Sequence, residues 1–168
     1  NYYLHIFNNT RRNIANLDKQ ENAGLAGTMR IVQAVGTMQA TDAYGPLAYS
    51  SIINAESEST YRFDSQQKLY EQMLDDLDKA IAGLQKMDDT EKASLATYDT
   101  WGGGDPAIWV QIANTMKLRI ALRLSKRESE MAADGYDLKA IATAAAANTL
   151  AVSGKDIVVK DQSNELKR

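Results

Sequence analysis

A chain of 168 residues, 44% hydrophobic and 24% charged, has the size of one domain, and such a domain buries roughly 70% of the surface its unfolded chain exposes, without disulfide or metal staples. A net charge of −3 offers no general attraction to nucleic acid phosphates. The absence of cysteine excludes disulfides, thiolate catalysis and cysteine metal sites, and no run approaches the roughly 20 apolar residues that span a bilayer.

Residues 1–20 carry Tyr2, Tyr3, Ile6, Phe7, Ile14 and Leu17 at mostly helical spacing, with Arg11, Arg12 and Lys19 on the other side. This predicts a helix. Because helix begins at once, without an initiator Met or a leader, the chain is expected to be a mature product or an excised piece of a longer one. The single histidine, His5, lacks the partners a general base needs and is expected to be a surface or partly buried residue.

Residues 22–43 predict a second helix, rich in small residues that include Gly24, Gly27 and Gly36. Each glycine costs about 1 kcal/mol against alanine in a helix. Three of them imply close approach of another helix. Arg30, Gln33, Gln39 and Asp42 argue against a membrane span. Tyr44-Gly45-Pro46 stops the helix. A long connection follows at 45–63, which Tyr49, Ile52, Ile53, Tyr61 and Phe63 are expected to pack down.

Asp64 with Gln67 predicts a capping box for a third helix that ends near Met87. Leu69, Tyr70, Met73, Leu74, Leu77, Ala80, Ile81 and Leu84 form its apolar stripe; Glu71, Asp75, Asp76 and Asp78 are expected on its wet face. Leu77-Asp78-Lys79-Ala80-Ile81 with Leu84 looks like the second helix of a tetratricopeptide repeat. Residues 88–104 read as a second long loop. Asp105–Arg127 predicts the central helix, with Asp105 as N-cap, Pro106 in the first turn, and apolar residues around most of its circumference. Glu128–Gly135 reads as a polar turn. Leu138–Val152 reads as an alanine-rich helix stopped by Gly154. The tail has a short β-like run, Ile157-Val158-Val159, and a polar end that frays. The first-helix signature of the tetratricopeptide repeat is not met, so the pattern alone gives an all-α fold of antiparallel helical hairpins, an irregular helical-repeat solenoid with two long loops, one domain over residues 1–168.

One histidine and no cysteine do not assemble a nucleophile–base–acid set. Asp75, Asp76 and Asp78 could supply a carboxylate pair, but their place on an amphipathic helix makes a solvated face the plainer reading. Asp88, Asp89 and Glu91 lack the glycine-bearing spacing of a calcium loop, and Gly102-Gly103-Gly104 lacks the Lys-Ser/Thr of a phosphate loop. No metal site, cofactor or catalytic residue is expected. Tyr98, Asp99 and Trp101, in a glycine-flanked loop, are the candidate ligand residues: an aromatic there can stack on a sugar ring or a partner side chain. The alternative is that Trp101 folds back as a plug over the helix pair. Trp109, inside the helix, belongs to the core. Lys117, Arg119 and Arg123 form a candidate partner surface; the plainer reading is that they complement the negative end of their own helix.

Four stretches in order resemble the SusD/RagB family of outer-membrane nutrient-binding lipoproteins of Bacteroidetes. They are Thr28–Tyr49, with its long helix ending in a Tyr-Gly turn; Tyr61–Leu84, YRFDSQQKLYEQMLDDLDKAIAGL; Gly103–Ser125, GGDPAIWVQIANTMKLRIALRLS; and the alanine-rich helix at 138–152. Where family members usually have Gly-Asp-Val/Ile-Pro-Tyr, this chain has Gly45-Pro46-Leu47-Ala48-Tyr49, so no role of that acid carries over. The resemblance implies a tetratricopeptide-like scaffold and non-enzymatic nutrient binding, of a glycan above all, at the outer-membrane surface. It also implies a TonB-dependent, SusC-like transporter as partner. The lipid-bearing cysteine of the family is not in this chain, so membrane association is expected only through an anchor outside it. A helical-repeat scaffold that binds proteins and no nutrient is the alternative.

Overall fold

In a computed structural model, residues 2–53, 61–154 and 157 are described. A π-helical turn, Tyr2–Phe7, leads into α1 (Asn8–Lys19), followed by α2 (Ala23–Tyr44), the short α3 (Ser50–Ile53), α4 (Gln66–Leu84), α5 (Asp89–Tyr98) and α6 (Pro106–Arg123). A 3-10 turn, Ser125–Arg127, then α7 (Glu128–Ala133), α8 (Leu138–Ala146) and α9 (Leu150–Ser153) complete it. The only β pairing among the described residues is an isolated antiparallel bridge between Leu47 and Asp64. The architecture is all-helical, as the periodicity predicts, and tetratricopeptide-like, as the resemblance implies.

Neighbouring helices run antiparallel, and side-chain pairs fix their direction. Thr10 of α1 donates to Gln33 of α2 (2.8 Å) and Arg30 pairs with Asp18 (2.6 Å). Tyr70 of α4 donates to Asp42 near the end of α2 (2.6 Å). Lys117 of α6 pairs with Asp78 of α4, and Arg123 reaches Asp42 (2.8 Å). Thr115 accepts from the Leu150 amide of α9 (3.1 Å). The α2–α4 interface is the tightest, because its backbones nearly touch. A Cβ on Gly27 would lie 2.8 Å from the Ala80 carbonyl oxygen, and one on Gly83 would lie 2.7 Å from the Ala23 carbonyl carbon. The small residues of α2 serve this approach. The core gathers Ile31, Met38, Leu69, Met73, Leu74, Leu77, Trp109, Ile112 and Ile120. The central helix α6 packs on α4, α8, α2 and α9, and Asp105 caps it through the Ala107 amide (2.9 Å).

The structure differs from the expectations at several places. Of the residues expected to pack the first connection down, Tyr49 is buried but Tyr61 and Phe63 are exposed. The second long loop holds a ten-residue helix, α5. Asp88 caps it through the Glu91 amide (2.8 Å). Its one buried large apolar residue is Leu95, too little to show as a stripe. The polar turn at 128–135 contains α7, anchored by Met131 alone. The alanine-rich helix at 138–152 breaks after Ala146 and resumes at Leu150. Ser65, not Asp64, caps α4 through the Lys68 amide (3.2 Å), since the Asp64 carboxylate holds the Tyr49 and Ser50 amides (3.2 and 2.7 Å) and the Ser50 hydroxyl (2.6 Å).

Lastly, the acids of α4 are not all on a wet face. Glu71 is buried beside Lys68 (3.0 Å). Asp76 accepts from the Tyr49 hydroxyl (2.9 Å), which itself accepts from Gln33 (2.6 Å). Burial pushes the Asp76 carboxyl up from its ordinary range, against the Tyr49 hydrogen bond that pulls it down. His5 lies exposed. Gly154 ends α9 in the left-handed region, φ 64°. Of the β-like run, Ile157 is in no regular element, and Val158 and Val159 lie outside the described residues, as do residues 54–60 of the first long connection.

Candidate functional site

Helix α5 and the loop after it stand against one face of α2. Glu91, although charged, is buried. Its Oε1 accepts from the amides of Gly24 (2.9 Å) and Leu25 (3.0 Å). These belong to the first turn of α2, whose N-cap residue, Asn22, makes no side-chain cap. A carboxylate 67 residues away thus satisfies two of the orphan donors of α2 and neutralises the positive end of its dipole. Asp88 and Glu91 therefore serve helix termini.

Asp99 builds the loop that follows. Its Oδ1 accepts from the Trp101 (2.8 Å) and Gly102 (2.9 Å) amides, and its Oδ2 from Gly102 (3.1 Å), Gly104 (2.9 Å) and the indole N–H of Trp109 (2.8 Å). Gly104 sits at φ 84°, with an imagined Cβ 2.7 Å from the Ala96 Cα, so only glycine fits. The result lays Trp101 flat on Trp109, with ring centroids 5.7 Å apart and planes 5° off parallel. Trp101 is half-buried and Trp109 is core. Trp101, Thr100 and Asp99, with Tyr98, Ser94 and Leu95 of α5, line a cleft of about 210 Å³ closed by Leu25, Thr28, Met29 and Val32 of α2. Tyr98 stands on its rim, 80% exposed.

Burial works to raise the Asp99 pKa. The N–H groups of Gly102, Trp109, Gly104 and Trp101 outweigh it and hold the carboxyl below its ordinary range. A depressed folded pKa contributes stability that is full above the unfolded value, near 3.9, and is lost as pH falls through the folded one. The fluorescence of the stacked indoles is therefore expected to stay constant from neutral pH down to about 4 and to change only below it. Asp99→Asn, which aims an NH₂ at some of these donors, is expected to show the changed spectrum already at pH 7. A transition centred near pH 6 in the unaltered protein would contradict the assignment.

The structure thus brings Tyr98, Asp99 and Trp101 together, with Asp99 as anchor of the loop. The α2 wall escaped the sequence reading, because nothing local links Leu25, Met29 and Val32 to a loop some 70 residues on. The candidate partner surface is divided. Lys117 pairs with Asp78 and Arg123 with Asp42. Arg119 is exposed and makes no ion pair among the described residues.

These features define a class: an antiparallel, tetratricopeptide-like helical scaffold carrying a small, aromatic-lined cleft. Within that class the chain belongs to the SusD-like family, the SusD and RagB outer membrane lipoproteins, whose sequence pattern matches residues 1–160. No curated protein matches it. Among solved structures, a chitin-binding SusD homologue from Flavobacterium johnsoniae is similar at 29% identity, with a TM-score of 0.69 over 86% of this chain and 28% of its own. A SusD homologue from Bacteroides ovatus is similar at 28% identity, with a TM-score of 0.61 over 86% of this chain and 28% of its own. A SusD-like protein of Bacteroidetes AC2a shares the fold at 22% identity, with a TM-score of 0.69 over 96% of this chain and 29% of its own. The chain thus spans less than a third of the length of these relatives.

Proposed function

We propose that this chain serves the non-enzymatic capture of a nutrient, a glycan, at the surface of a bacterial outer membrane, in company with a TonB-dependent, SusC-like transporter. Family membership over residues 1–160 carries the reading. The chitin-binding relative and the aromatic cleft support it. In this reading Trp101 is a stacking platform, Tyr98 an exposed flank, and Asp99 the group that holds the platform in place. Arg119 on α6, with Lys117 and Arg123 beside it in sequence, contacts the protein partner. The membrane is reached through a lipid anchor outside this chain.

The test is titration of the intact protein containing this segment against a panel of oligosaccharides, together with co-purification of the transporter. Binding of at least one glycan class is expected. Trp101→Ala is expected to weaken it roughly tenfold, about 1.4 kcal/mol. Absence of glycan binding together with absence of the transporter would sink the proposal. A second reading, a protein-interaction scaffold without a nutrient ligand, draws on one observation: Leu122, 62% exposed, lies three residues from Arg119 on α6. It requires indifference to every sugar.

A further inference from the structure

We infer that the Trp101 cleft takes an uncharged sugar ring bearing an acetamido group, an inference that rests on the glycan reading above and names the ligand chemistry of its site. Charge comes first. Asp99 is the only ionised side chain lining the cleft. Both its oxygens are occupied by four N–H groups of the loop and of Trp109. The cleft therefore offers no cation to a uronate or a sulfated sugar, and no open carboxylate to a free amino sugar. A buried charge left without a partner costs heavily, so such ligands are disfavoured.

The α2 wall comes second. Leu25, Met29 and Val32 follow one another at i, i+4 and i+7, the spacing of one helix face, and line the cleft together with Trp101 and Tyr98. The Thr28 hydroxyl beside them is turned inward and donates to the Leu25 carbonyl (2.8 Å), so it adds no donor to the wall. A plain hexose has apolar C–H surface on its ring faces and hydroxyls around its rim. With one face stacked on Trp101, its rim hydroxyls would meet this stripe and lose water without gaining partners. An acetamido substituent changes that balance. Its methyl covers the apolar stripe, while its N–H and C=O are left for the Ser94, Thr100 and Tyr98 hydroxyls, the polar side-chain groups of the lining besides Asp99 and the inward-turned Thr28. A cleft of about 210 Å³ suits a single substituted ring.

The experiment titrates the full-length protein, by calorimetry and by tryptophan fluorescence, with triacetylchitotriose, its fully deacetylated trimer and cellotriose. The acetylated trimer is expected to bind at least tenfold more tightly than either of the others. Met29→Gln, at a half-buried helix position, is expected to remove that preference by weakening the acetylated trimer alone. Tyr98→Ala, at an exposed position that leaves the fold intact, is expected to weaken every sugar bound in the cleft. Circular dichroism checks that the variants fold, and Met29→Leu is expected to restore the preference. Equal affinity for acetylated and deacetylated trimers, a preference that survives Met29→Gln, or binding that Tyr98→Ala leaves unchanged overturns this inference and leaves the glycan reading standing. Indifference of the intact protein to these and all other sugars overturns both.

Discussion

Gly83→Val is expected to cost about 3 kcal/mol and to lower the midpoint of thermal unfolding by roughly 6–12 °C. The first added carbon does the damage. It would lie 2.7 Å from the Ala23 carbonyl carbon and 3.3 Å from the Gly24 nitrogen. These are backbone atoms of a packed helix, so no rotamer change relieves the contact. Gly83→Ala is therefore expected to destabilise too, although alanine is favoured by about 1 kcal/mol in an isolated helix. Ala82→Val, one residue away and exposed, serves as control and should stay within about 0.5 kcal/mol of the parent. Thermal melts followed by circular dichroism decide the matter. A Gly83→Ala protein as stable as its parent would show that α2 and α4 do not meet at this register.

Removing the Glu91 carboxylate is the second large effect. Glu91→Ala leaves the Gly24 and Leu25 amides without their acceptor, and buried donors cost about 1–3 kcal/mol each when orphaned. Partial solvation of the Leu25 amide lowers the sum, so a loss of about 3 kcal/mol is expected. Glu91→Gln keeps one acceptor oxygen and should recover part of it. The sharper readout is local. Hydrogen exchange at Gly24 and Leu25 should accelerate in Glu91→Ala more than exchange in the middle of α4. Uniform acceleration across both helices would mean that Glu91 acts on global stability rather than on this terminus.

These two sites differ in how far the sequence announces them. Glycines inside a helical run are costly, so Gly24, Gly27 and Gly36 signal close packing by their presence, and the structure brings that packing against α4 and the N-terminal turn. The Asp105-Pro106 start of α6 is equally legible, because cap and ring constraint act within one turn. Helix α5 is not. DTEKASLATY holds one large apolar residue that becomes buried, and its stability comes from Asp88 at its start and from the contact Glu91 makes with α2. Asp64 and Ser65 are adjacent candidate caps, and which one serves α4 depends on the distant Tyr49 and Ser50 amides. The site shows the same division. Trp101 stands out in a glycine-flanked loop. Its stacking on Trp109 and its facing wall on α2 depend on tertiary contacts that no local pattern encodes.

The first long connection carries a consequence of its own. Its two ends are stitched together near the helices they leave: Leu47 and Asp64 exchange backbone hydrogen bonds (3.3 and 2.8 Å), Asp64 grips Ser50, and the Ser51 hydroxyl bonds both the carbonyl (2.8 Å) and the amide (3.1 Å) of Arg62. The Ile52 carbonyl adds a further tie to the scaffold, accepting from the Arg11 guanidinium of α1 (3.0 Å). Doubling the length of the enclosed segment would cost only about 0.6 kcal/mol of closure entropy. A change of length in this connection is thus cheap in closure entropy as long as the paired flanks and the Ile52 tie to α1 are kept.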